Sequence, residues 1–331
     1  MSMKPLIGIR YAATDEELAT IREMGVQHVE LNAKEEECTP ESLKALKDRL
    51  AAFGLEIVIV SVNSLQKNDI IDLNLKEKNG RPADRDAEIA RFNQLVRNVA
   101  TIGVDTVSVA WQPTGIKRTG HRPEAIRGGL SSYVDMEQIK SLPYDYDREY
   151  TEEEIWENFE YFLKAITPTC KECGVRIALH PNDPPVPSLC GVGSLIWNMD
   201  GYRKAFAMDP DGVVGCKMCI GCWLEGGDRF GNVLENIKEM QEQNRIVCVH
   251  FRNVSAPGPD FQETLSEDGY ANMYEIMKQF ILCGYEGPIS IDHAFRPHEG
   301  MGGMVGSFAY PTGHMKGLMH AIEIQLGKRD H

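Results

Sequence analysis

Short apolar runs alternate with longer stretches of helical period along almost the whole chain. The runs start at Leu6 (LIGIRY), His28 (HVELN), Glu56 (EIVIVSV), Thr106 (TVSVAW), Arg176 (RIALHP), Val213 (VVGCKMC), Ile246 (IVCVHFRNV) and Pro288 (PISIDHAF). Between them lie segments such as TDEELATIREMG, AEIARFNQLVRNVATIG and MYEIMKQFILCG, whose apolar positions recur on one helical face. Glycine in MG, FG, IG, CG or YEG precedes most of the runs, where it can end a helix. Thr14 followed by Glu17 has the spacing of a capping box. About eight strand-then-helix units predict an α/β fold, a (β/α)8 TIM barrel, with a doubly wound sheet as the alternative. No GxGxxG or GxxxxGK[ST] follows a run, which disfavours the nucleotide-binding form of that alternative. The expectation is one barrel domain over residues 1–331.

Two connections exceed plain barrel loops. Residues 63–83 are polar, and residues 114–150 are rich in Gly, Arg, Pro and Tyr. Each follows a strand, so each is expected to cap the C-terminal mouth, where barrels of this kind keep their active sites. Composition narrows the class further. A hydrophobic content of 42% with 25% charged residues belongs to a soluble globular protein. No apolar run reaches the roughly 20 residues of a membrane span, and the N-terminus lacks the pattern of a signal peptide. Nine scattered cysteines read as reduced thiols in the cytoplasm rather than a disulfide framework. A net charge of −14 argues against nucleic acid or anionic membrane as partner, and an anionic substrate would need a local cluster of Arg, Lys or metal.

The last four runs each carry a metal-ligand residue near the strand's C-terminal end: His180, Cys219, His250 and Asp292. One such residue alone is more often core than ligand. Four on consecutive strands point to a metal site, and a set of two imidazoles, a thiolate and a carboxylate suits Mn²⁺, Fe²⁺ or Zn²⁺. Strand alternation bears on the stretch CKMCIGCW: residues three apart face opposite ways, so Cys216 and Cys219 diverge, and Cys219 is the ligand nearest the strand end. Lys217 shares the face of Cys219, Asn182 that of His180, and Arg252 that of His250. Arg252, with Arg10 at the end of the first strand, is a candidate clamp for a substrate carboxylate. His293 is a candidate general acid or base.

In that order and spacing, RIALHPNDPP, MCIGCW, VHFRNV and IDHA resemble the mannonate dehydratase family, metal-dependent lyases among the xylose-isomerase-like barrels. The likeness extends to RY after the first strand and to DGYANMYEIMK before the last. It implies a divalent centre, Mn²⁺ first with Fe²⁺, Zn²⁺ or Mg²⁺ as alternatives, on His180, Cys219, His250 and Asp292, without an organic cofactor. It implies dehydration of D-mannonate to 2-dehydro-3-deoxy-D-gluconate in hexuronate catabolism, with His293 and Tyr310 in proton transfer. A homo-oligomer is a further expectation. The chain departs from the family pattern at Asn182, at Cys222 and Trp223 after the ligand cysteine, and at His314 beyond Tyr310. Arg10, Asn182, Lys217, Trp223 and His314 are read as substrate-binding, with Trp223 narrowing the pocket. A sugar isomerase or epimerase on the same barrel, or a non-catalytic sugar-acid-binding homologue, are the competing readings.

Overall fold

The computed structural model describes residues 2–62, 84–124, 127–146, 148–293 and 303–329, with 303–306 by backbone only. Eight strands close into a barrel: β1 (Lys4–Arg10), β2 (His28–Ala33), β3 (Glu56–Val62), β4 (Thr106–Ala110), β5 (Arg176–His180), β6 (Val214–Cys219), β7 (Ile246–His250) and β8 (Pro288–Ser290). Neighbours are sequential, every pair is parallel, and β8 returns to β1, which makes this a (β/α)8 barrel and excludes the doubly wound sheet. Among the described residues no helix is long and apolar enough to cross a membrane.

Local sequence explains the outer layer. The Thr14–Glu17 capping box forms, with Glu17 N–H donating to Thr14 Oγ1 at 3.2 Å and Thr14 N–H to Glu17 Oε2 at 2.8 Å. Helix Glu152–Cys173 starts with the same device at Thr151 and Glu154 and stops at Gly174, whose φ of 65° glycine adopts without a Cβ penalty. This helix turns Ile155, Phe159, Phe162 and Ile166 onto the barrel. Inside the barrel the packing is less uniform. Leu6, Ile59 and Cys248 form a small apolar cluster, and beside it Lys217 Nζ meets Glu30 Oε1 at 2.6 Å and Ser108 Oγ at 3.3 Å, all buried.

The long connection 114–150 is not irregular. It contributes strands Gly120–Arg122 and Ser131–Asp135, which join Asp260–Thr264 and Asn253–Val254 in a four-stranded antiparallel sheet. The connection 63–83 lies outside the described residues.

Candidate metal centre and active site

Residues i and i+2 of a strand share a face, so each barrel strand delivers alternate side chains to the interior. His180, Cys219 and His250 end β5, β6 and β7, and one ligand atom from each lies within 4.8 Å of the others. His180 Nδ1 sits 2.7 Å from Pro181 O. A carbonyl only accepts, so Nδ1 carries the proton and Nε2 keeps the lone pair, the arrangement metal-binding histidines adopt.

Asp292 arrives differently from the strand pattern expected of it. β8 ends at Ser290, and Asp292 takes φ 73°, a left-handed conformation that Asp tolerates better than most residues. The turn brings its carboxylate back over the barrel: Oδ1 is 3.0 Å from His250 Nδ1, and Oδ2 is 3.8 Å from Cys219 Sγ. The donors fit a divalent cation. His250 Nδ1 is buried and lacks an aligned hydrogen-bond partner, and thiolate, imidazole and carboxylate together suit Mn²⁺, Fe²⁺ or Zn²⁺. Burial acts to raise both acids of this group. Against it, the Cys222 hydrogen bond and Arg252 hold the Cys219 thiol well below its usual range, and His250 and His293 do the same for Asp292. A ligand set poised as anions attracts a cation.

Above these residues lies a cavity of about 210 Å³. His121, Ser131, Ser132 and Glu263 of the added sheet line it together with Arg252 and His293. His293 is half exposed, with Nδ1 3.2 Å from Glu263 Oε2 and Nε2 3.6 Å from Asp292 Oδ2. Burial opposes the charge on Glu263, but Arg252, His293 and Arg118 hold its carboxyl below the usual value, so it stays an acceptor for His293.

The D-mannonate dehydratase (UxuA) family model matches residues 121–325, a span that includes all four ligand positions. The chain is 31% identical to the mannonate dehydratase of Streptococcus uberis over 281 residues, which cover 76% of this chain and 77% of that one. It is 28% identical to that of Streptococcus suis over 283 residues, 77% and 74% of the two chains. The crystal structure of mannonate dehydratase from Streptococcus suis serotype2 superposes with a TM-score of 0.85 at 25% identity, covering 100% of this chain and 96% of that one. The chain belongs to the mannonate dehydratase family. Members are carbon–oxygen lyases, and this protein is one. More distant structures, such as a xylose isomerase domain protein from Alicyclobacillus acidocaldarius (TM-score 0.62, 15% identity), share the fold alone.

Within a mannonate dehydratase barrel, several residues expected to touch substrate are engaged elsewhere. Lys217 is buried against Glu30 inside the barrel, because its side chain points down the interior rather than out of the mouth. Asn182 is buried too: its Oδ1 accepts from Ile196 N–H at 2.7 Å and its own N–H donates to Ile196 O at 2.8 Å, closing the loop after β5. Trp223 does not face the pocket. It lies on helix Ile220–Gly226, stacked on Tyr202 at 5.6 Å and packed on Phe230 at 4.1 Å, with Nε1–H donating to Asn236 Oδ1 at 3.1 Å. A helix starts directly after Cys219, so the next residues turn outward into the core instead of lining the mouth.

Arg252 is the larger correction. Each nitrogen of its guanidinium meets a protein group: Nε–H to Asp292 Oδ2 at 3.0 Å, Nη1–H to Glu225 Oε1 at 2.7 Å, and Nη2–H to Cys219 Sγ at 3.6 Å. It is therefore bound to Asp292 and Cys219 rather than standing free for a substrate carboxylate. Tyr310 and His314 are brought together, but on Glu267. The Tyr310 hydroxyl donates to Glu267 Oε1 at 2.5 Å and accepts from Arg127 Nη1–H at 3.4 Å, and His314 Nδ1 is 2.9 Å from Glu267 Oε2. Among the described residues neither makes a hydrogen bond or ion pair with the four ligand positions, although Pro311, next to Tyr310, lines the cavity. Arg10 shares the inward parity of Leu6 on β1, ends the strand exposed, and enters no ion pair among the described residues.

Sequence reasoning missed the second layer. Arg118 bonds Asp183 at 2.5 and 2.8 Å and Glu263 at 2.8 Å, and Asp183, Glu225 and Glu263 also surround Arg252. Asp183 was visible in HPNDPP three residues after a ligand. Arg118 and Glu263 sit in segments with no local signal, and only closure of the added sheet joins them.

Proposed function

We propose that this protein dehydrates D-mannonate to 2-dehydro-3-deoxy-D-gluconate at a single Mn²⁺ held by His180, Cys219, His250 and Asp292. Family membership carries the coarser statement, a sugar-acid dehydratase; the finer one rests on the meeting of four mixed donors beneath a cavity that presents His293. A divalent ion bound there supplies Lewis-acid chemistry toward the substrate's carboxylate and 2-hydroxyl.

The chain's own residues have separable tasks in this reading. Arg252 keeps the Asp292 carboxylate and the Cys219 sulfur aimed inward. Arg10, exposed at the mouth end of β1, meets the substrate carboxylate. His293, held at Nδ1 by Glu263, moves protons between C2 and the departing C3 hydroxyl; its half exposure leaves the imidazole open to the cavity. Tyr310 is the second proton-transfer group, standing at the rim with its hydroxyl on Glu267. The sheet over the mouth limits water around the reacting carbons. We take the protein to act in the cytoplasm as a single barrel domain and a homo-oligomer.

The test is incubation of the Mn²⁺-loaded protein with a panel of aldonates, aldoses and ketoses, followed by product analysis. A keto-deoxy acid from D-mannonate is expected, and His293→Asn should keep the metal while losing about 10²–10⁴-fold in kcat. An isomerised sugar, or aldoses binding as tightly as aldonates in calorimetry, would replace the lyase with an isomerase.

A further inference from the structure

Cys219-Ile220-Gly221-Cys222 reads C-x-x-C, and Cys219 is the N-cap of helix Ile220–Gly226, which makes Cys222 the third residue of its first turn. One helical turn separates two Cα atoms by about 5 Å, inside the roughly 4.4–6.8 Å that a disulfide spans. Both side chains are fully buried at the start of this helix. Arg252 Nη2–H donates to the Cys219 sulfur at 3.6 Å.

The C-x-x-C spacing recurs twice, and geometry separates those pairs from this one. Cys216 and Cys219 lie three apart on a strand and diverge, with Cys216 turned to Tyr202. Cys170 and Cys173 lie within the regular last turns of helix Glu152–Cys173. There Cβ atoms three apart sit about 5–6 Å from each other, too far for the roughly 3.5–4.5 Å of a disulfide. Cys219 escapes that constraint because its backbone is extended (φ −80°, ψ 98°) rather than helical.

We propose that Cys219 and Cys222 are a reversible disulfide site, closed by a peroxide, in which Cys219 is the attacking sulfur and Cys222 the resolving one. The Cys219 sulfur attacks a peroxide oxygen, the O–O bond breaks, and the departing hydroxide takes a proton and leaves as water. The Cys222 sulfur gives up its proton and attacks the Cys219 sulfenic sulfur, whose S–O bond breaks to release a second water. Two electrons pass from the thiol pair to the peroxide. Peroxide is small enough to enter by the cavity that Arg252 lines. A closed disulfide removes Cys219 from the donors; that consequence rests on the ligand assignment proposed above, whereas the disulfide itself does not.

The experiment treats full-length protein, metal-free and Mn²⁺-loaded, with hydrogen peroxide, alkylates the remaining thiols, and maps peptides by mass spectrometry beside metal analysis. In metal-free protein the peptide holding Cys219 and Cys222 should be lighter by two hydrogens, resist alkylation at both residues, and return to the dithiol with dithiothreitol. Bound Mn²⁺ should slow this, and the ion should be released as the cross-link forms. Cys170→Ser should not change the result. In Cys222→Ser the cross-link should be lost, and Cys219 should gain two oxygens that dithiothreitol does not remove. Alkylation of both Cys219 and Cys222 after peroxide has oxidised other cysteines would overturn the proposal, as would full recovery of the Cys219 thiol in Cys222→Ser. A cross-link that leaves Mn²⁺ bound would uphold the disulfide and remove Cys219 from the ligand set.

Discussion

Replacing Arg252 with Met tests whether this guanidinium organises the metal site or waits for substrate. Four carboxylates, Asp183, Glu225, Glu263 and Asp292, face two guanidiniums, Arg118 and Arg252, in buried surroundings. The variant leaves Arg118 to balance Asp183, Glu225 and Glu263, and leaves Asp292 to His250 and His293. Removing one partner from a buried ion pair costs about 3–5 kcal/mol. The lower part of that range applies here, because burial and Asp183 already push the Glu225 carboxyl well above its usual range, so it can take up a proton. Unfolding entropy scales with chain length, so for 331 residues a loss of about 3–4 kcal/mol corresponds to a Tm about 4–6 °C lower in metal-free protein. Metal affinity should fall about 10–100-fold in a calorimetric titration, since Asp292 and Cys219 each lose the donor that aims them. Arg252→Lys keeps the charge without the planar fork and should lie between the two. A Met variant that melts within a degree of the parent and binds Mn²⁺ equally well, while its KM for the sugar acid rises, would refute this reasoning and restore Arg252 as a carboxylate clamp.

Cys219→Ser should lose most bound metal after desalting, while Cys216→Ser and Cys222→Ser retain it; a requirement for Cys216 instead would contradict the inward register of β6. Trp223→Ala should cost about 3–5 kcal/mol in thermal unfolding with discrimination among aldonates unchanged, because the ring fills core rather than pocket; altered aldonate preference without destabilisation would show the reverse. In metal-free protein burial acts against a charged His250, but Asp292 overrides it and lifts its pKa from 6.5 to about 9. A raised folded-state value means that the stabilisation, roughly 3 kcal/mol, is fully present below pH 6.5 and lost as pH climbs through 9. Melting temperature should therefore fall across that window while Mn²⁺ affinity rises, since the ion competes with a proton for His250; a metal-free Tm that is flat from pH 6.5 to 9 would count against the His250–Asp292 pairing.

The barrel was legible because its signals are local. Each of the eight runs needed only its own apolar pattern, in most cases with a glycine before it, to be read as a strand, and the order of the runs is the order of strands round the barrel. The meeting of His180, Cys219 and His250 was legible for the same reason: a residue at the end of a parallel barrel strand lies at the mouth whatever surrounds it. Local reasoning failed where the chain leaves the strand. Trp223 follows a ligand by four residues, but a helix begins between them and carries it into the core against Tyr202 and Phe230. Asp292 lies beyond the end of β8 and reaches the site through a left-handed turn that no periodicity announces.

Charge partners were the part that only the tertiary structure decided. Parity on the strand correctly grouped Lys217 with Cys219, but says nothing of Glu30 across the barrel, whose carboxylate lies 2.6 Å from the Lys217 amine. Arg252 has the residue type of an anion clamp, and the fold spends it on Asp292, Glu225 and Cys219 instead. Arg118 and Glu263, separated by 145 residues, meet because an added sheet folds across the mouth. Side-chain direction follows from backbone geometry one residue at a time, so a sequence carries it openly. Which opposite charge desolvates with a given guanidinium depends on distances between segments far apart in the chain, and those distances exist only once the barrel has closed.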